Sequence, residues 1–374
     1  MSVTHEQVVE ALRPVEDPEL HRSIVDIGML RDVQINDGVV SILIALTVAG
    51  CPLRNEITNR VKGAVTPLPG VASVDLEFTV MTDQERGELR LKLHGDPGAT
   101  AGQGQAHGHA EGRAIPFANP DNKTRPLLIS SGKGGVGKSS VTTNLAVALA
   151  AQGHSVGVLD ADIYGYSIPR MLGANADPVA IDRMLLPSEA YGVRCISIGY
   201  FVPEGQAVVW RGPMLHKALE QFLTDVYWDE PDFLLIDMPP GTGDIALSLS
   251  QYLPKGEVYV VTTPQQAAQK VARLSAAMAV KVGLSVKGII ENMSWFTGDD
   301  GKRYELFGSG GGQELATELG VPLLGQLPFV QALREGGDDG RPIVAIDPDS
   351  ESGLIFHDIA RKIAADNKPR KKFS

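Results

Sequence analysis

The sequence predicts an α/β chain, in which a doubly wound, mostly parallel sheet follows a smaller α/β domain. Three observations lead there. Short, apolar, β-branched runs alternate with helical spacers from Pro126 onward, a glycine-rich loop joins the first run to a helix, and residues 94–125 separate this region from residues 1–93. The runs are Leu127–Ser131, Ser155–Asp160, Phe233–Asp237, Val258–Thr262 and Val286–Ile290. Continuous apolar runs are expected of strands buried on both faces, and helical spacers make such strands parallel. A sheet of this kind takes its ligand at the carboxyl ends of its strands.

The elements follow in order. A helix is expected over His5–Leu12, ending near Pro14, and a strand over Val39–Thr47. Pro52–Val65 reads as a helix, with Leu53, Ile57 and Val61 four apart on one face. Val74–Val80 alternates apolar and polar residues, as a half-buried strand does. Residues 94–125 are a Gly/Ala/His linker, because the stretch from His94 to His109 has almost no large apolar side chain to offset its ordering entropy. Its histidines lack a companion carboxylate or cysteine cluster and read as solvated. Residues 126–366 form the large domain, in which Lys138–Gln152 is a helix, and the basic residues 367–374 are a frayed tail.

Composition narrows the function. A hydrophobic content of 43% and a charged content of 21% are those of an ordinary globular chain. The net charge of -11 argues against non-specific binding to nucleic acid or to an anionic membrane surface. No apolar run reaches the ~20 residues of a membrane span, and no signal-peptide core is seen, so a cytoplasmic location is expected. The last helical stretch carries an apolar stripe, Ile355, Phe356, Ile359 and Ile363, with few cations, which reads as core packing rather than a membrane anchor. The two cysteines, Cys51 and Cys195, are too few for a disulfide framework and are expected as free thiols.

The loop Gly132, Lys133, Gly134, Gly135, Val136, Gly137, Lys138, Ser139 satisfies G-x-x-x-x-G-K-[ST] between a strand and a helix, the context that makes this motif specific. Backbone N–H groups of such a loop surround a phosphate, Lys138 neutralises phosphate oxygens and Ser139 ligates Mg²⁺. Two acidic motifs follow strands: Asp160-Ala161-Asp162, and Asp237 in Asp-Met-Pro-Pro-Gly-Thr-Gly-Asp. Asp237 is expected to hold Mg²⁺ through water, while Gly241 and Gly243 permit a loop that senses the γ-phosphate. No Asn-Lys-x-Asp motif for guanine occurs, so ATP is the expected nucleotide.

These segments carry a resemblance. The second lysine, Lys133, resembles that of the deviant P-loop class, in which it reaches across a homodimer to the partner's nucleotide. In that class the residue matching Asp162 activates water, the one matching Asp160 supports the Mg²⁺ shell, and the one matching Asn292 contacts the base. Lys133–Ser139, Asp160–Gly165, Trp210–Pro213, Asp237–Asp244 and Glu291–Ser294 together resemble the Mrp/ApbC family of iron–sulfur cluster carrier ATPases. Asp17–Leu20, Asp26–Gly28 and Thr47–Pro52 resemble the MIP18-type module often fused to it. The resemblance implies a homodimer that hydrolyses ATP and delivers clusters to apo client proteins. Many members place Cys-x-x-Cys after Glu-Asn-Met-Ser, where this chain has Gly298 and Gly301. Cys51, before Pro52 at an expected helix start, is then the candidate Fe–S ligand, and Cys195 is expected in a strand core. Two other readings compete: an ATPase that recruits clients without a cluster, and a partition-type switch.

Overall fold

The computed structural model describes residues 3–48, 53–94, 115–163, 165–202, 212–241 and 244–366. The chain divides into two compact units, Met1–Arg113 with Val179–Leu186, and Ala114–Pro178 with Pro187–Ser374.

In the first unit, α1 (His5–Leu12) starts at a reciprocal cap: Gln7 N donates to Thr4 Oγ1 and Thr4 N donates to Gln7 Oε1. Strands β1 (Leu30–Asn36) and β2 (Val39–Leu46) pair antiparallel. Helix α2 (Arg54–Val65) buries Ile57, Val61 and Val65, and it carries the chain over to β3 (Ser73–Val80), parallel to β2. Helix α3 (Asp83–His94) follows. The helix over His5–Leu12 and the strands near residues 39–47 and 74–80 stand where they were expected. β1 and α3 were not foreseen, because β1 buries only Val33 and α3 has few apolar side chains.

The second unit begins earlier than the sequence suggested. Ile115 and Phe117 are buried and Pro116–Ala118 makes a 3₁₀ turn, so residues 115–125, expected as the end of the linker, are packed structure. Two apolar side chains here offset the ordering entropy that the glycine-rich stretch cannot.

Strand β4 (Arg125–Ser131) leads to α4 (Lys138–Ala151), β5 (Val156–Asp160) and α5 (Ile168–Leu172). The hairpin β6 (Val179–Ile181) and β7 (Met184–Leu186) groups with the first unit. Next come β8 (Ser188–Ala190), β9 (Val193–Ser197), α6 (Gly212–Thr224), β10 (Phe233–Asp237), α7 (Asp244–Tyr252), β11 (Glu257–Thr262), α8 (Gln266–Lys281) and β12 (Ser285–Glu291). A short hairpin, β13 (Phe296–Thr297) and β14 (Arg303–Tyr304), precedes α9 (Gly311–Leu319), β15 (Leu323–Gln326), α10 (Gln331–Asp339), α11 (Ile343–Ile346) and α12 (Glu351–Ala365).

Among the described residues the large sheet runs β15-β12-β11-β4-β10-β5-β9-β8, parallel except where β8 meets β9. Strands β5, β10 and β11 are buried along their whole length. Helix α4 is buried on nearly every side, because the sheet covers one face and α12 packs on another through Phe356, Ile359 and Ile363. The apolar stripe of the last helix is thus core. Among the described residues no helix is long and apolar enough to cross a membrane.

Candidate nucleotide site

β4 ends at Ser131 in the middle of the sheet, and the chain must turn sharply into α4. At Gly132 a Cβ would collide with the backbone of Val271 and Ala272 in α8, so only glycine fits. Gly137 takes a left-handed conformation (φ 81°) just before α4 and packs on the Asn292 side chain. Gly134 and Gly135 face open space. The result is a bare backbone loop at the N-terminus of a 14-residue helix, where N–H groups and the helix dipole favour an anion.

Below the loop, three side chains of α4 converge on one carboxylate. Lys138 Nζ lies 2.5 Å from Asp237 Oδ2, Ser139 Oγ donates to the same oxygen at 2.7 Å, and Thr142 Oγ1 donates to Asp237 Oδ1 at 2.6 Å. Lys138 and Asp237 are both buried. Strand register explains the meeting. Asp237 stands opposite Asp160 on β5 and Ile129 on β4, so the acidic strand ends line up beside the loop. Thr142 was missed in the sequence; its spacing of three and four residues from Ser139 and Lys138, on one helix face, was the available signal.

Asp160 is engaged by its own chain. Its Oδ1 accepts from Asp162 N at 3.2 Å, and its Oδ2 accepts from Ser167 N at 3.1 Å, Ile168 N at 3.3 Å and Ser197 Oγ at 3.1 Å. Burial pushes its carboxyl pKa up, and the negative charge of Asp237 adds to that. Asp162, half-buried, lies 3.7 Å from Lys138 Nζ. Burial raises its pKa too, with Lys138 pulling it down and Asp237 pushing it up.

Lys133 Nζ donates to Gln265 Oε1 at 3.2 Å, just before α8. Asn292, beyond β12, donates from Nδ2 to the Val136 carbonyl in the loop at 2.9 Å, while its Oδ1 is buried with no partner among the described residues. Gly241 N donates to Ser131 O at 2.9 Å, which ties the segment after Asp237 to the end of β4; Gly243 lies outside the described residues.

Cys195 sits fully buried on β9, where desolvation drives its thiol pKa far up, a poor setting for a thiolate ligand. Cys51 lies outside the described residues. Gly298 and Gly301 form the turn of the β13–β14 hairpin, where Gly298 N donates to Lys302 O at 2.9 Å and Gly301 has φ 74°. Among the described residues no group of three or more His, Cys, Asp or Glu side chains could hold a metal ion.

A glycine loop between a buried strand and a helix, with lysine and serine directed at a strand-end aspartate, defines a P-loop nucleotide-binding protein. Residues 122–364 match the family of NUBPL iron-transfer P-loop NTPases, and residues 5–76 match an iron-sulfur cluster assembly protein family. The chain belongs to the iron-transfer P-loop NTPase family. Its relatives include the iron-sulfur cluster carrier protein of Mycobacterium tuberculosis, 48% identical over 94% of this chain and 90% of that one. The protein of the same name from Synechocystis is 42% identical over 97% of each chain. Among solved structures, the nucleotide-binding protein of Archaeoglobus fulgidus in complex with ADP is 36% identical with a TM-score of 0.51, over 58% of this chain and 86% of that one.

Proposed function

We propose that this chain binds and hydrolyses Mg-ATP and carries iron–sulfur clusters to apo client proteins, as a cytoplasmic homodimer. The observation that carries the nucleotide half is the convergence of Lys138, Ser139 and Thr142 on buried Asp237 beneath an open glycine loop. A hydroxyl beside a carboxylate suits a hard divalent cation that keeps most of its waters. Ser139, with Asp237 acting through water, would hold Mg²⁺, which supplies charge neutralisation at the phosphate oxygens. Lys138 adds a fixed positive charge to the same oxygens, and the loop N–H groups of residues 132–137 bind the β-phosphate.

Asp162 is the residue for the attacking water: it is half-buried and lies beside Lys138, just past the end of β5. Asp160 is our choice for the outer part of the Mg²⁺ shell, and its four hydrogen bonds support a second task, holding the segment that carries Asp162. Lys133 acts on the partner's nucleotide and must leave Gln265 to do so. Asn292 contacts the base: with its nitrogen engaged by Val136, its oxygen is left to accept from the exocyclic amine of adenine, where guanine presents a carbonyl. That choice favours ATP over GTP.

The cargo half rests on the relatives' shared name and on the two family matches that span most of the chain. Cys51 is our candidate ligand, completed by a small thiol or an oxygen or nitrogen donor, since Cys195 is unsuited. Thiolates are the usual ligands of such clusters. The glycines at 298 and 301 favour a second reading, an ATPase that recruits clients and has lost the cluster.

Two measurements test the nucleotide half. Lys138→Ala should abolish ATP binding by calorimetry, whereas Asp162→Asn should bind ATP and lose hydrolysis by at least about a hundredfold. Normal phosphate release from Asp162→Asn would overturn the assignment of the water. Light scattering of the Asp162→Asn protein with Mg-ATP should report a dimer that the further change Lys133→Ala weakens. A strictly monomeric ATP-bound protein would contradict the role of Lys133 in the partner's site.

A further inference from the structure

We propose that Glu291 is a positioning residue for base selection, fixing which end of the Asn292 amide faces the nucleotide; the proposal rests on the reading of Asn292 as the base contact. Glu291 is the last residue of β12 and is fully buried. Three donors from three directions hold its carboxylate. Ser294 Oγ and Gln326 Nε2 donate to Oε1 at 2.8 and 2.7 Å, and Gly312 N donates to Oε2 at 2.5 Å. Gly312 lies in the first turn of α9, where a carboxylate meets the positive end of the helix. A Cβ at Gly312 would strike the Glu291 side chain, so the glycine is what admits the carboxylate.

The clamp closes around a strained turn. Met293 has φ 57°, a left-handed conformation that a side-chain-bearing residue adopts at a penalty of about 1–3 kcal/mol unless its surroundings hold it. Ser294 supplies the hold, with Oγ on Glu291 and its backbone N donating to Leu327 O at 2.9 Å. Asn292, between Glu291 and this turn, is fixed at its own backbone by Thr262 O at 2.8 Å. From that backbone its side chain places the nitrogen on Val136 O and leaves the oxygen buried and unpartnered among the described residues. If the turn loosens, Asn292 shifts away from Val136 O, the amide is no longer held nitrogen-first and can rotate, and the NH₂ end then suits the carbonyl of guanine as well as the oxygen end suits the amine of adenine. Glu291 touches neither base nor phosphate; it acts through the turn.

The test is calorimetric binding of Mg-ATP and Mg-GTP to the full chain, as wild type, Asn292→Ala, Glu291→Ala and Ser294→Ala. Phosphate contacts are common to both nucleotides, so the ratio of their Kd values isolates the base end. The expected result is a ratio reduced about three- to tenfold in all three variants, through weaker ATP binding with GTP binding kept. If Glu291→Ala does not fold, Ser294→Ala, which removes one strut of the clamp, is read in the same way. Equal weakening of both nucleotides would mean that the clamp only stabilises the fold, and the proposal fails. A ratio changed by Asn292→Ala but by neither clamp variant would overturn the role of Glu291 and leave the base reading standing. A ratio unchanged by Asn292→Ala would overturn the base reading, and the proposal with it.

Discussion

Glu19 follows a tight turn in which Asp17 Oδ1 accepts from the backbone N–H groups of Glu19 and Leu20, both at 2.9 Å. Burial, with the neighbouring charge of Asp17, pushes the Glu19 carboxyl from its ordinary value of 4.5 up to about 7. The folded chain thus holds a proton there that the unfolded chain releases above about 4.5. Stability is fullest below that value and is lost as pH rises through about 7. Glu19→Gln removes this dependence, so melting curves of the two full-length proteins should diverge between pH 4.5 and 7.5, the wild type falling relative to the variant. Parallel pH profiles would contradict the half-buried setting of Glu19 beside Asp17. Individual residues differed in how much the sequence disclosed. Lys138, Ser139 and Asp237 were readable because phosphate and Mg²⁺ chemistry demands those types at those spacings, and the structure brings them together. Thr142 shares their helix face by spacing, but a threonine inside a helix belongs to no motif, and its partner 95 residues away had to be seen before that spacing acquired a meaning. The clamp on Glu291 joins residues 291, 294, 312 and 326, and only the fold makes them neighbours.

Elements were legible in proportion to how fully they are buried. The runs at 127–131, 233–237 and 258–262 became central strands because β-branched apolar residues fit a sheet covered on both faces. α4 is the helical counterpart, an apolar helix enclosed by the sheet and α12. Peripheral elements were missed for the complementary reason. β8 and β15 are short, and β1 alternates weakly, so burial leaves little trace in their composition. The helix expected from Pro52 is described from Arg54 onward, while residues 49–52 lie outside the described residues. The β13–β14 hairpin places Gly301, at φ 74°, in its turn, a left-handed position that suits glycine.

At the scale of the whole molecule, the chain joins an iron-sulfur assembly-type unit, matched over residues 5–76, to an iron-transfer P-loop NTPase, matched over residues 122–364. The nucleotide site belongs entirely to the second unit. If cargo is held through Cys51 in the first, ATP turnover and iron binding are separable by mutation. The decisive measurement is iron and sulfide content after anaerobic reconstitution of the full-length protein, wild type beside Cys51→Ala and Cys195→Ala, followed by transfer to an apo ferredoxin. The account predicts bound, transferable iron in the wild type and in Cys195→Ala, and loss of that iron in Cys51→Ala with phosphate release within about twofold of wild type. Iron retained in Cys51→Ala and lost in Cys195→Ala would contradict the ligand assignment, and a wild type that takes up no iron would contradict the carrier function itself.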